Sequence, residues 1–167
     1  MIRSTLALIL LCGPAAAAGT ISGPATVIDG DTIAIEGIRI HLYGIDAPET
    51  AQSCETAAGL EYRCGREAAR VLRARIGGGV VTCERRDPAV AGRLTGRCHV
   101  REGDLSAWMA SQGFALASRH VTMAYAAQEG RAWATRRGIW AGTFEKPADW
   151  RRDRRRVEAS AGAGADE

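Results

Sequence analysis

The 167 residues, 46% hydrophobic and 25% charged, suit a single domain with a real core. A net charge of +3 is too near balance to be a nucleic-acid footprint by itself. No run approaches the roughly 20 apolar residues of a membrane span, which excludes an integral helical membrane protein.

In chain order, Arg3 supplies a positive start, Leu6 to Cys12 an apolar run, and Ala16-Ala17-Ala18 a small-residue cleavage site. Residues 1–18 therefore read as a secretory signal peptide, and loss of Arg3 takes the charge from +3 to +2. Leu11 is a poor small-residue substitute before Cys12, which argues against lipidation. Ala25 to Ile28 reads as a first strand. Thr32 to Leu42 alternates apolar and polar residues around Glu36-Gly37, the pattern of two antiparallel strands and a tight turn. A hairpin returns the chain to its start, so Asp31 and Asp46 can lie close together, and Pro48 aims Glu49 at the same place. Three carboxylates so gathered repel one another unless a cation sits among them, and oxygen donors suit Ca²⁺ or Mg²⁺. DGD and DAPE are also good turn sequences, so loop capping is the plainer alternative for these acids.

Thr50 to Tyr62 is polar and reads as a loop. Cys64 to Ile76 carries a helical apolar stripe of Ala68, Val71, Leu72 and Ile76, ended by Gly77-Gly78-Gly79. Val80 to Glu84 is the fourth strand, Arg85 to Ala91 a turn, and Arg93 to Arg101 the fifth strand. Asp104 is the expected N-cap of a helix closed by Gly113. A third helix is expected over Met123 to Arg136. Trp108 and Trp140 read as core residues, and His99 and His120 as structural or exposed. Five arginines within Arg151 to Arg156 form a basic segment, and the small, acidic Glu158 to Glu167 calls for no structure. The domain is expected at residues 19–143, with 144–167 as a disordered tail. Five short strands and three helices indicate an α+β chain built on a small closed barrel.

Without residues 1–18, the cysteines are Cys54, Cys64, Cys83 and Cys98, which allow three disulfide connectivities. Cys54–Cys64 and Cys83–Cys98 is the expected pairing, because each brackets a short segment. A zinc site lacks CxxC spacing here.

DGDT, a strand, GIDAPE, Gly92-Arg93, LSAWMASQGFALA and Arg137-Gly138-Ile139-Trp140 occur in an order that resembles the staphylococcal nuclease family from about Pro24 to Trp140. The resemblance implies a five-stranded OB-fold barrel with helices, and a calcium-dependent nuclease cutting DNA and RNA at the 5′ bond to leave 3′-phosphate ends. Asp31 and Asp46 match its calcium-binding carboxylates, with the Ala47 carbonyl beside them. Glu49 matches the carboxylate that activates or orients water, and Arg93 the second of two catalytic arginines. His41 stands where the first is found, and Arg39 lies two residues back on the same face. His41 is then an ordinary strand histidine, a phosphate donor in place of arginine, or the mark of lost activity.

The expectation is an exported, monomeric, calcium-dependent nuclease acting on nucleic acid in the periplasm or the medium. One rival is an inactive OB module that binds nucleic acid or another anionic polymer. The other is an envelope protein anchored to anionic lipid by its arginines.

Overall fold

The computed structural model describes residues 19–86, 94–101 and 103–163. The expected signal peptide, residues 1–18, and Arg93 lie outside the described residues. β1 (Thr20–Val27) is followed by a hairpin of β2 (Thr32–Ile35) and β3 (Ile38–Leu42), then by the two-residue β4 (Ile45–Asp46). The period-2 pattern buries Ile33, Ile35, Ile40 and Leu42 to within 1% of full burial. Each such side chain contributes about 1.5–3 kcal/mol.

β7 (Val80–Arg86) and β8 (Thr95–Val100) complete the barrel in the order β3-β2-β1-β7-β8. These neighbours are antiparallel, and a parallel pairing of His41 with Thr95 and Leu42 with Gly96 closes β3 onto β8. The result is the five-stranded OB-type barrel expected. The first strand begins at Thr20 rather than Ala25. Gly23-Pro24 looks like a break, but β1 changes partner there, from β7 to β2. Pro24, with no N–H to donate, falls at the changeover.

The segment Thr50 to Tyr62 is not all loop: β5 (Cys54–Glu55) and β6 (Glu61–Tyr62) pair within it. Helix α1 (Cys64–Ile76) ends on Gly77 in the left-handed conformation. β9 (Gly103–Asp104) precedes α2 (Leu105–Gln112), where Asp104 accepts the Ala107 N–H at 2.9 Å as N-cap. β10 (Leu116–Ala117) then pairs with β4, Leu116 opposite Asp46. Disulfides join Cys54 to Cys64 and Cys83 to Cys98, the latter pair directly opposite in the β7–β8 register.

Two helical expectations are corrected. α3 spans Ala126–Ala134, not Met123 to Arg136. Thr122 Oγ1 takes the Ala124 N–H at 3.2 Å, a local bond that competes with helix at the start. Arg136, with φ of 49°, is left-handed beyond the end. A short 3₁₀ turn (Gly138–Ala141) follows.

The tail expected to be disordered carries a fourth helix, α4 (Pro147–Ala163). Pro147 presets the first turn. Arg152 pairs with Asp149 at 2.9 Å, Arg156 with Asp153 at 3.6 Å and Arg154 with Glu158 at 3.5 Å, all at helical i,i+3 or i,i+4 spacing. From Arg152 onward the charge run is thus the solvated face of a helix. Among the described residues no helix is long and apolar enough to cross a membrane.

Candidate active site

The site forms where the β1–β2 turn meets the loop after β4. Gly30 makes this approach possible, since a Cβ there would come within 2.7 Å of the Ala47 and Ala68 Cβ atoms. Gly65 does the same at the start of α1, where a Cβ would run into the Glu49 carbonyl. Asp31, 6% exposed, is fixed on several sides. Its Oδ2 accepts the Ala47 N–H at 2.7 Å, and its Oδ1 accepts the Thr32 hydroxyl at 3.0 Å. Its own N–H donates to Asp29 Oδ1 at 3.1 Å.

His41 stands opposite Thr32 in the β2–β3 register. Its Nδ1 lies 3.2 Å from Asp31 Oδ1, an ion-pair separation without the alignment of a hydrogen bond. Burial alone would lower the imidazole pKa, but Asp31, helped by Asp29 and Asp46, outweighs it and holds the value above that of an ordinary histidine. Burial likewise opposes ionisation of Asp31, yet His41 and the Ala47 N–H keep its pKa below the usual carboxylate range. Asp29 pays for this arrangement: burial, then the charge of Asp31, push its carboxyl up to about 7.

Asp46 is held from the far side. Glu129 of α3, 8% exposed, accepts the Ala117 N–H at 3.0 Å and a guanidinium nitrogen of Arg119 at 2.7 Å. It thereby steadies β10, the strand that pairs with Asp46. Glu49 opens a turn whose organiser is Gln52, fully buried. The Gln52 N–H donates to the Glu49 carbonyl at 2.7 Å and its Oε1 accepts the Glu49 N–H at 3.3 Å. Its Nε2 donates to the Glu145 carbonyl at 2.7 Å, tying the loop to the entry of α4.

From α4 comes the residue that sequence reasoning missed. Arg151 Nη1 meets Asp46 Oδ1 and Glu49 Oε1, each at 2.8 Å, and Nη2 meets Asp46 Oδ2 at 3.0 Å. Those contacts, Asp46 foremost, raise the guanidinium pKa further, so Arg151 is a permanent cation. The arginine run was visible in the sequence, but no spacing set Arg151 apart from its neighbours.

The fold therefore sets His41 against Asp31, Asp31 against the Ala47 N–H next to Asp46, and Asp46 with Glu49 around the Arg151 guanidinium. Arg39 is exposed. Arg93 lies outside the described residues, although His41 donates its N–H to the carbonyl of the next residue, Leu94, at 2.9 Å. His99 and His120 are exposed. A cleft of about 650 Å³ leads away from Asp46, past Leu116, Arg119, His120, Trp133 and Lys146. Trp133 is 65% exposed.

The carboxylates suit a hard divalent cation by their oxygen chemistry. As arranged, both Asp46 oxygens and one of Glu49 are engaged by Arg151. Among the described residues, no three His, Cys, Asp or Glu side chains are disposed to hold a metal.

A family model described as "Staphylococcal nuclease homologue" matches residues 39–142. A succinoglycan biosynthesis protein of Rhizobium meliloti (strain 1021) is 38% identical over 142 residues, 83% of this chain and 74% of that protein. Two probable staphylococcal-like nucleases of Oryza sativa subsp. japonica are 33% and 32% identical over 134 residues. This chain spans about a third of their length, 33% and 34%. The family match includes His41, Asp46 and Glu49, while Asp31 and Arg151 fall outside it.

Proposed function

The chain belongs to the staphylococcal nuclease family, and from that premise we propose that it is an exported, calcium-dependent nuclease that hydrolyses phosphodiester bonds of DNA or RNA. The observation that supports this reading is pairwise proximity: the Asp31 carboxylate accepts the Ala47 N–H, next to Asp46, at 2.7 Å, and Asp46 and Glu49 share one guanidinium nitrogen of Arg151. The two disulfides fit export to an oxidising compartment.

Asp31 and Asp46 would hold the cation, which supplies Lewis-acid polarisation of a phosphoryl oxygen when bound. Glu49 orients the attacking water; with a reference pKa of about 4.3 it is a weak base, so positioning outweighs proton abstraction. His41 donates one N–H toward the phosphoryl group, and Arg93 offers a two-pronged guanidinium. The cleft beside Asp46, with exposed Trp133, gives the substrate strand an aromatic surface for a base.

The second reading is a binding module without turnover, favoured by the closure of Asp46 and Glu49 by Arg151. Digestion of DNA and RNA by the purified protein, in Ca²⁺ and in chelator, separates the two. Cleavage that vanishes with chelator, and in Asp31→Asn and Asp46→Asn, supports the nuclease. Tight nucleic-acid binding with no cleavage supports the module.

A further inference from the structure

We propose that Asp46 and Glu49 form a guanidinium-binding site for this chain's own last helix, so that Arg151 and a divalent cation compete for the same carboxylate oxygens. The proposal rests on the nuclease reading and names how that site is regulated.

The contact is specific. Arg152, Arg154 and Arg156 pair with acids of their own helix, whereas Arg151 reaches the barrel with a fork that takes both Asp46 oxygens and shares Glu49. Ca²⁺ binds carboxylate oxygens at about 2.3–2.6 Å, so it and the guanidinium would be crowded cations around one carboxylate. Each therefore weakens the other.

The helix is also built to leave. Pro147 is buried, but from Arg152 to Ala161 every residue of α4 is exposed. Beyond Pro147 and the half-buried Trp150, releasing Arg151 uncovers little apolar surface. The Gln52 bond to the Glu145 carbonyl, 2.7 Å, holds the entry of α4 beside the site, so a released Arg151 stays close enough to return. Without calcium the strap closes over Asp46 and Glu49; with calcium it opens.

Titration calorimetry with CaCl₂ on the full mature chain tests this, comparing wild type with Arg151→Gln and with Arg155→Gln as control. If Arg151 occupies the site most of the time, its removal should tighten Ca²⁺ binding about tenfold or more. Arg155→Gln should change nothing. In wild type, hydrogen exchange of the α4 amides should accelerate on Ca²⁺ saturation, a readout that needs no variant. Equal Ca²⁺ affinity in wild type and Arg151→Gln, or α4 protection indifferent to Ca²⁺, overturns the proposal and leaves the calcium site standing. Loss of cleavage in Arg151→Gln at unchanged Ca²⁺ affinity would make Arg151 a substrate-binding residue, again overturning it. Absence of Ca²⁺ binding in all three proteins removes the calcium-dependent reading, and the proposal with it.

Discussion

His41 Nδ1 lies 3.2 Å from Asp31 Oδ1, which joins the histidine expected at the place of a family arginine directly to an expected calcium ligand. Two neighbouring strands impose this meeting. Thr32 faces His41 across the hairpin, so the residue before Thr32 brings its carboxylate to the imidazole. Each partner shifts the other's titration, Asp31 downward and His41 upward.

The pair sets a pH window for stability. The folded pKa of Asp31 is depressed, so its contribution is present above the unfolded value of about 3.9 and is lost as pH falls through the folded one. That of His41 is raised, so its contribution is complete below about 6.5 and is lost as pH rises through the folded value. Between about pH 4 and 6.5 both are present. In chelator, the fall in Tm caused by His41→Gln should be largest in that interval and shrink as the pH rises through the folded value of His41. Melting curves that stay parallel across pH would remove the ion pair from the account.

Asp29 predicts the opposite sign. Its folded pKa is raised to about 7 by burial and by Asp31. As pH climbs from about 4, the unfolded chain ionises first, so stability falls until about pH 7 and then levels off. Asp29→Asn keeps the acceptor that receives the Asp31 N–H and removes the charge. In chelator it should stabilise the protein at pH 8 by about 1–2 kcal/mol, a figure reduced for partial exposure, and do nothing at pH 3.5. Denaturant melts at the two pH values decide it; an equal gain at both would mean that charge is irrelevant there.

The barrel and the approach of Asp31 to the Asp46-Ala47 segment were legible because both follow from local pattern. Period-2 alternation from Thr32 to Leu42 fixes which residues face the core, and the turn sequences bring Asp31 and Asp46 together. The apolar stripe ending at Gly77 likewise bounds α1. Arg151 was not legible. It is one of five arginines within six positions, and only the docking of α4 decides which reaches Asp46. Gln52 was hidden for a related reason: a polar residue in a polar stretch reads as loop, yet it is fully buried with its amide bonded at both ends.

The two disulfides should separate stability from catalysis. They close segments of 10 and 15 residues in sequence, each contributing about 3 kcal/mol by chain entropy. Cys64 opens α1 next to Gly65, against which the Glu49 carbonyl packs. Cys83–Cys98 lies across two barrel strands. Replacing Cys54 and Cys64 by Ser should lower both Tm and calcium-dependent kcat. Replacing Cys83 and Cys98 should lower Tm with kcat nearly intact at 15 °C. Equal losses of kcat in both would show that Glu49 does not depend on the first bridge.

The last prediction returns to His41. Negative charge on the phosphoryl oxygens grows in the transition state, so each donor fixed there accelerates the chemical step. In the proposed role an imidazole would give one N–H toward the substrate, since its Nδ1 faces Asp31; arginine would give a fork and a permanent charge. Losing one such donor costs about 10²–10³ in rate, so His41→Arg should raise calcium-dependent kcat by roughly tenfold or more, allowing for imperfect fit. The gain should grow with pH. Asp31 holds the histidine pKa above its ordinary value, so wild type keeps part of its positive charge near neutrality and loses it in the alkaline range, whereas arginine does not. The variant-to-wild-type ratio of kcat should therefore be larger at pH 9 than at pH 6. Glu49→Gln in the arginine background should abolish the gain, because the water-orienting role proposed for Glu49 is common to both proteins. A ratio that is flat with pH, or a variant no faster than wild type, would mean that the imidazole is no weakened substitute for arginine, and that His41 serves the Asp31 carboxylate rather than the substrate.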